Sequence, residues 1–142
     1  MMSLFNIFDI TASGMSAQSM RLNTTASNIA NADSVSSSVD ETYRARHPVF
    51  AAAMQNAAAG QPGSDASVGV KVLGIVESDK PLNIEYMPEH PMADDEGYIY
   101  KPNVNVIEEM TNMISASRSY QTNVQLAESA KNMVNKTLLL GK

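Results

Sequence analysis

Between Val104 and Lys142, residues suited to helix contacts return at alternating spacings of four and three: Val106, Met110, Met113, Ser117, Tyr120, Val124, Ala127, Lys131, Val134 and Leu138. This is the a/d pattern that keeps one seam of a helix turned toward a partner helix, with Ser117 and Lys131 as its polar interruptions. Ile107, Ile114, Leu126, Ala130, Met133 and Leu140 widen the seam into a face that can meet more than one helix. Asn103, just after Pro102, is the expected N-cap. Glu108 and Glu109 sit near the positive end of the helix, and Lys136 and Lys142 near the negative end. At ~1.5 Å per residue the helix would reach roughly 55 Å, longer than a compact domain of this size needs.

The first thirty residues repeat the pattern. Phe5, Phe8, Ala12, Met15, Ser19, Leu22, Ala26 and Ile29 alternate three and four apart without a slip, while Ser13, Ser16, Gln18, Thr24 and Ser27 cover the other faces with almost no charge. A helix with such small packing residues and a glycine at position 14 is marginal alone, so it is expected to order by docking, with the seam from Val106 as first candidate. Periodicity leaves open whether that docking is a hairpin within the chain or a contact between subunits.

Between the two helices the period changes. Asn31 to Thr42 is a Ser-rich stretch with no apolar repeat and predicts a loop or hinge. Tyr43 to Met54 alternates weakly, and Pro48 makes it an edge strand or an extended arm. Asn56 to Ser67 predicts a flexible connection. Val68 to Glu77 is the clearest strand, with Gly74 marking a bulge, and Leu82 to Met87 predicts a second after a turn at Asp79 to Pro81. Gly97 then turns the chain into Tyr98, Ile99 and Tyr100. The expected fold is mainly α with a small β insert (α+β). Its long terminal helices form a coiled-coil-like pair, with a small antiparallel β unit and an extended arm between them. The divisions are residues 1–31, 32–102 and 103–142.

Composition narrows the function classes. The chain of 142 residues is 44% apolar but only 6% aromatic, with no Trp; alanine, serine, asparagine and methionine make smooth helix contacts more readily than a large core. The net charge of −5 lies mostly in residues 40–102, which leaves a basic groove for nucleic acid without support. Absence of cysteine removes disulfides, thiolate catalysis and Cys-ligated metal. The start of the chain lacks a basic region followed by an apolar stretch, so neither a cleaved secretory signal nor membrane insertion is expected. His90 lies near Glu89, Asp94, Asp95 and Glu96, but the spacing is not that of an EF-hand and reads as a solvated acidic loop. No nucleophile, phosphate-loop, zinc-protease or dinucleotide fingerprint occurs, so no catalytic residue, cofactor or metal is expected.

Several stretches carry a resemblance. SGMSAQSMRLNTTASNIANADS, with Asn28, Ala30 and Asn31 at its core, resembles the N-terminal motif of the axial proteins of the bacterial flagellum. NVNVIEEMTNMISASRSYQTNVQ, with Glu109, Asn112, Met113, Arg118 and Tyr120, resembles their C-terminal motif. YRARHPVF, GVKVLGIVES and YMPEHPMADDEGYIYKPNV are similar to the corresponding parts of the short proximal rod proteins within that family. Together these cover nearly the whole chain in order. Larger axial members carry middle domains that cannot fit here, and many follow the Asn-rich motif with a Thr-Pro-Gly-Tyr turn where this chain has the longer Ala32 to Thr42 loop.

The resemblance implies a structural subunit of the proximal rod, the periplasmic shaft that transmits torque to the hook. It implies export, unfolded and without a cleaved signal, by the flagellar type III apparatus. The implied partners are further copies, the other proximal rod subunits, the distal rod protein and the adaptor at the export gate and MS ring. Marginal helices suit both stages: they thread a channel easily and then order on neighbours. Heterologous contacts whose rotation does not close build a helical tube. A soluble helical adaptor or export chaperone, forming a small closed oligomer, is the alternative from another class, and an enzyme would need a grouping the sequence lacks.

Overall fold

The computed structural model describes residues 4–53 and 68–140, with the side chains of Leu4, Phe5 and Leu140 outside that description. The Phe5 side chain and the connection expected at 56–67 therefore lie outside that description. Two long helices, α1 (Leu4–Ala30) and α2 (Val106–Leu140), enclose in sequence four strands: β1 (Arg46–Ala53), β2 (Gly69–Glu77), β3 (Asn83–Tyr86) and β4 (Tyr98–Lys101). The helices pack antiparallel. An Arg21 guanidinium N–H donates to the Asn112 side-chain oxygen at 2.9 Å, and toward the other end Gly14 lies against Asn123, whose amide nitrogen would be 2.9 Å from any added Cβ. Glycine at 14 is thus a point of close approach between helices.

Arg46–Ala53 is a true strand. β1 pairs antiparallel with β2, so the stretch read as an arm is half of a two-stranded ribbon. Val49 faces Gly74 and Phe50 faces Val72, which leaves Leu73 as the extra residue of a β-bulge beside the glycine that the sequence singled out. Pro48 has no N–H to offer, and every strand of a two-stranded sheet is an edge. β3 and β4 form a separate antiparallel ribbon, and Gly97 (φ 85°) closes it where a side chain would strike the Tyr86 ring and Pro88.

The Ala32 to Thr42 stretch is no free hinge. Ser36 exchanges both backbone hydrogen bonds with Tyr100 at 3.0 Å, pinning the loop to β4. The cap of α2 is also corrected: Asn105 accepts the N–H groups of Ile107 and Glu108, while Asn103 straps other segments together.

The buried apolar set among the described residues is Ala17, Ala45, Ile99, Ala116 and Ala130. So small a core does not resemble a free-standing globule of this length. Large apolar side chains instead lie exposed along both ribbons and α2, among them Leu73, Ile75, Ile84 and Ile107.

Candidate assembly surface

The α1–α2 seam runs one residue N-terminal to the predicted stripes. On α1 the inward positions are Ile7, Thr11, Gly14, Gln18, Arg21, Thr25 and Asn28, a heptad alternation in which Thr11, Thr25 and Asn28 are buried. Facing them on α2 are Glu109, Asn112, Ala116, Ser119 and Asn123, with Glu109 and Ala116 buried. The contact then continues through Ala127, Ala130 and Val134, adding two steps of four in succession. That stutter keeps the contact on one line of a straight 3.6-residue helix, from which a strict heptad drifts ~20° per repeat.

This seam is polar and small. The buried Thr11 hydroxyl donates back to the Ile7 carbonyl at 2.8 Å, so it is not left unsatisfied. Gln18, expected on an outer polar face, is half-buried, and its side-chain oxygen is buried without a partner among the described residues. The buried Glu109 carboxylate has His47 Nδ1 at 4.0 Å.

A shift of one residue turns a stripe by about 100° around its helix. Because the helices are antiparallel, the same turn on each carries both predicted stripes to the same side of the pair. Phe8, Met15, Leu22 and Ile29 on α1, with Met113 and Val124 on α2, are half-buried along that side, and Tyr120 is exposed at its edge. Ala12 and Ala26 point further outward, as do Val106, Met110 and Leu138. Ala127 and Val134 alone of the α2 set fall within the seam, where the stutter carries it. The opposite flank of α1 is occupied by the β1–β2 ribbon. Ser13 Oγ accepts the Val70 N–H at 3.1 Å, Ala17 and Thr24 are buried, and the Ser27 hydroxyl meets that of Tyr43 at 3.2 Å. On α1 one flank is thus covered by the ribbon, and the apolar flank it shares with α2 is covered by no other described element.

The motif residues divide by role. Asn28, Glu109 and Asn112 hold the seam; Asn31 donates from its side chain to the Ser27 carbonyl at 2.8 Å and ends α1; Ala30 and Arg118 are exposed. In the acidic turn before β4, Asp94 accepts the N–H groups of Glu96 and Tyr98 and the Tyr100 hydroxyl. The Tyr98 amide foremost, helped by the Tyr100 hydroxyl, holds the Asp94 carboxyl below its ordinary value of 3.8, and this carboxylate in turn raises the Tyr100 phenol. The turn is built as a hydrogen-bonded closure, and no cluster of His, Asp and Glu among the described residues is arranged to hold a metal ion.

Comparison with known proteins finds relatives along the whole chain. The family described as flagella basal body rod protein matches residues 8–36, and that described as flagellar basal body rod FlgEFG protein C-terminal matches residues 95–140. The flagellar basal-body rod protein FlgC of Escherichia coli O6:H1 is 50% identical over 141 residues, covering 99% of this chain and 100% of that protein. The FlgC protein of Salmonella typhimurium is 49% identical over the same span and shares, and that of Buchnera aphidicola subsp. Baizongia pistaciae is 37% identical over 144 residues, again with 99% and 100% covered. With both terminal regions matched and half its residues shared along essentially the whole length of a relative, the chain belongs to the FlgC family of flagellar basal-body rod proteins.

Proposed function

We propose that the chain is a structural, non-enzymatic subunit of the proximal rod, that it assembles helically, and that the uncovered flank of the helix hairpin is where neighbouring subunits dock. The observation that carries this reading is the inverted distribution of apolar residues: the seam inside the chain is built mostly from polar and small residues, with Ile7 and Val134 near its ends, whereas Phe8, Met15, Leu22, Ile29, Met113 and Val124 line the side left open. A face of this kind calls for a second molecule. The divisions at residues 31 and 102 separate the helical core from the β ribbons in the same reading. The partners are further copies and the other rod subunits, together with the distal rod protein and the adaptor at the export gate and MS ring. Export runs through the flagellar type III apparatus into the periplasmic shaft, without a cleaved signal. No helix among the described residues is long and apolar enough to cross a membrane.

Leu22→Glu and Val124→Glu test the proposal. An unpaired carboxylate buried between helices costs several kcal/mol, comparable to the stability of a marginal helix pair. Each variant should be secreted normally yet fail to build rods, scored by isolated basal bodies and by swimming. Normal rods and motility in both variants would remove this flank from the interface.

A further inference from the structure

Asn28 has no exposed surface and is one of the three largest fully buried side chains among the described residues, although it is an amide near the end of a helix. Its Oδ1 accepts the Tyr43 hydroxyl at 2.8 Å and the Arg46 N–H at 2.9 Å, and its Nδ2 donates to the Arg46 carbonyl at 2.8 Å. The side chain thereby presents to Arg46 the donor and acceptor pair that a neighbouring strand would. Asn103 does a similar thing one residue away. Its Oδ1 accepts the Ala45 N–H at 2.8 Å, and its Nδ2 donates to the carbonyls of Lys80 at 2.7 Å and Ser78 at 3.3 Å. The Ser78 N–H donates to the Ala45 carbonyl at 2.7 Å. All four backbone polar groups of Ala45 and Arg46 are satisfied in this way, two by Asn28, one by Asn103 and one by Ser78.

These two residues are where the chain enters the β1–β2 ribbon. Asn28 lies in the last turn of α1 and Asn103 shortly before the first residue of α2. Those two points stand side by side only when the helices are paired antiparallel.

We infer that Asn28 and Asn103 form a clasp that couples docking of the β1–β2 ribbon to closure of the α1–α2 hairpin. They are positioning residues: the hydrogen bonds of both lie within the chain and fix the angle at which ribbon and hairpin are presented together. The inference concerns the single chain and stands apart from the rod assignment.

Amide exchange of the full-length chain, followed residue by residue, tests the coupling. In Asn28→Ala the Ala45 and Ser78 amides, which Asn28 does not touch, should lose protection on the order of tenfold to a hundredfold, while the Ala116 and Asn123 amides in the seam, coupled to them through the clasp, lose protection by a smaller factor. Asn103→Ala should reciprocally expose the Arg46 amide. Asn28→Asp separates the clasp from a general loss of packing. Its ionised carboxylate can still accept from Tyr43 and Arg46 but has no donor for the Arg46 carbonyl, whereas the neutral acid regains one. Protection at Ala45 and Ser78, relative to wild type at each pH, should therefore return as the solution is acidified through the pKa of that carboxyl. Three results would each overturn the clasp: no protection of Ala45 and Arg46 in the wild-type chain, wild-type protection of Ala45 and Ser78 in Asn28→Ala, or a pH-independent defect in Asn28→Asp.

Discussion

On α1, the flank beneath the β1–β2 ribbon carries Ser13, Ala17, Thr24 and Ser27, while the opposite flank carries Phe8, Met15, Leu22 and Ile29. A self-sufficient domain would place these the other way round, because burying apolar area is its main driving force. Here the ribbon is held by hydrogen bonds and close approach. The Ser13 hydroxyl takes the Val70 amide, Gly69 comes so near Ser13 that a Cβ would be 2.9 Å from its oxygen, and Asn28 grips Arg46. Small, satisfied polar residues let backbones come together within the chain and leave the larger apolar side chains on the open flank, where the proposed contacts between chains would form.

That contrast can be broken from either side. The largest effect on the isolated chain is expected at Ala116, which has no exposed surface in the seam. Ala116→Asp buries a carboxylate in the seam and should cost several kcal/mol, seen as loss of helical signal or a large drop in melting temperature. If Ala116→Asp melts like wild type, the polar seam does not hold the hairpin together.

Next come Leu22→Glu and Val124→Glu, judged on the monomer. Both side chains are half-buried at the edge of the open flank, so each should cost the isolated chain only about 1 kcal/mol while assembly is lost. A monomer destabilised as much as by Ala116→Asp would mean that the flank belongs to the chain's own core.

Gln18→Glu and Gln121→Glu sharpen the comparison further. With its side-chain oxygen already buried and unpartnered, Gln18 should lose about 1–3 kcal/mol on gaining a charge, whereas exposed Gln121 should stay within about 0.5 kcal/mol of wild type. Thermal unfolding of the two side by side gives the answer, and equal melting temperatures would contradict the seam register.

The smallest effect is local and depends on pH. The Asp94 carboxyl is held below 3.8 in the folded turn, chiefly by the Tyr98 amide, so the folded pKa lies under the unfolded one. Its stabilisation is fully present above that ordinary value and is lost as pH falls through the lowered folded value. The Tyr98 and Glu96 amides should therefore stay protected at pH 5 and loosen only below 3.8, with the helices unaffected. Asp94→Asn should abolish that acid transition, and its persistence would place the responsible group elsewhere.

Much of this arrangement was legible along the chain. The two helices, the strand at Val68 to Glu77 with its irregularity beside Gly74, the edge character imposed by Pro48 and the turn at Gly97 all rest on local backbone chemistry, which spacing and residue type determine. The presence of one apolar stripe on each terminal helix was equally a property of the sequence, because period alone defines a stripe. Which stripe faces the chain's own partner was decided only in three dimensions. A register one residue earlier lets Gly14 meet Asn123 and Arg21 reach Asn112, contacts between residues far apart in sequence that no local period encodes. The N-cap shows the same limit: Asn103 and Asn105 are equally good caps by type, and Asn103 is drawn away because Ala45, Ser78 and Lys80 converge on it. Periodicity gives each helix its faces, but the pairing of faces depends on how closely two backbones can approach and which polar groups are satisfied when they do.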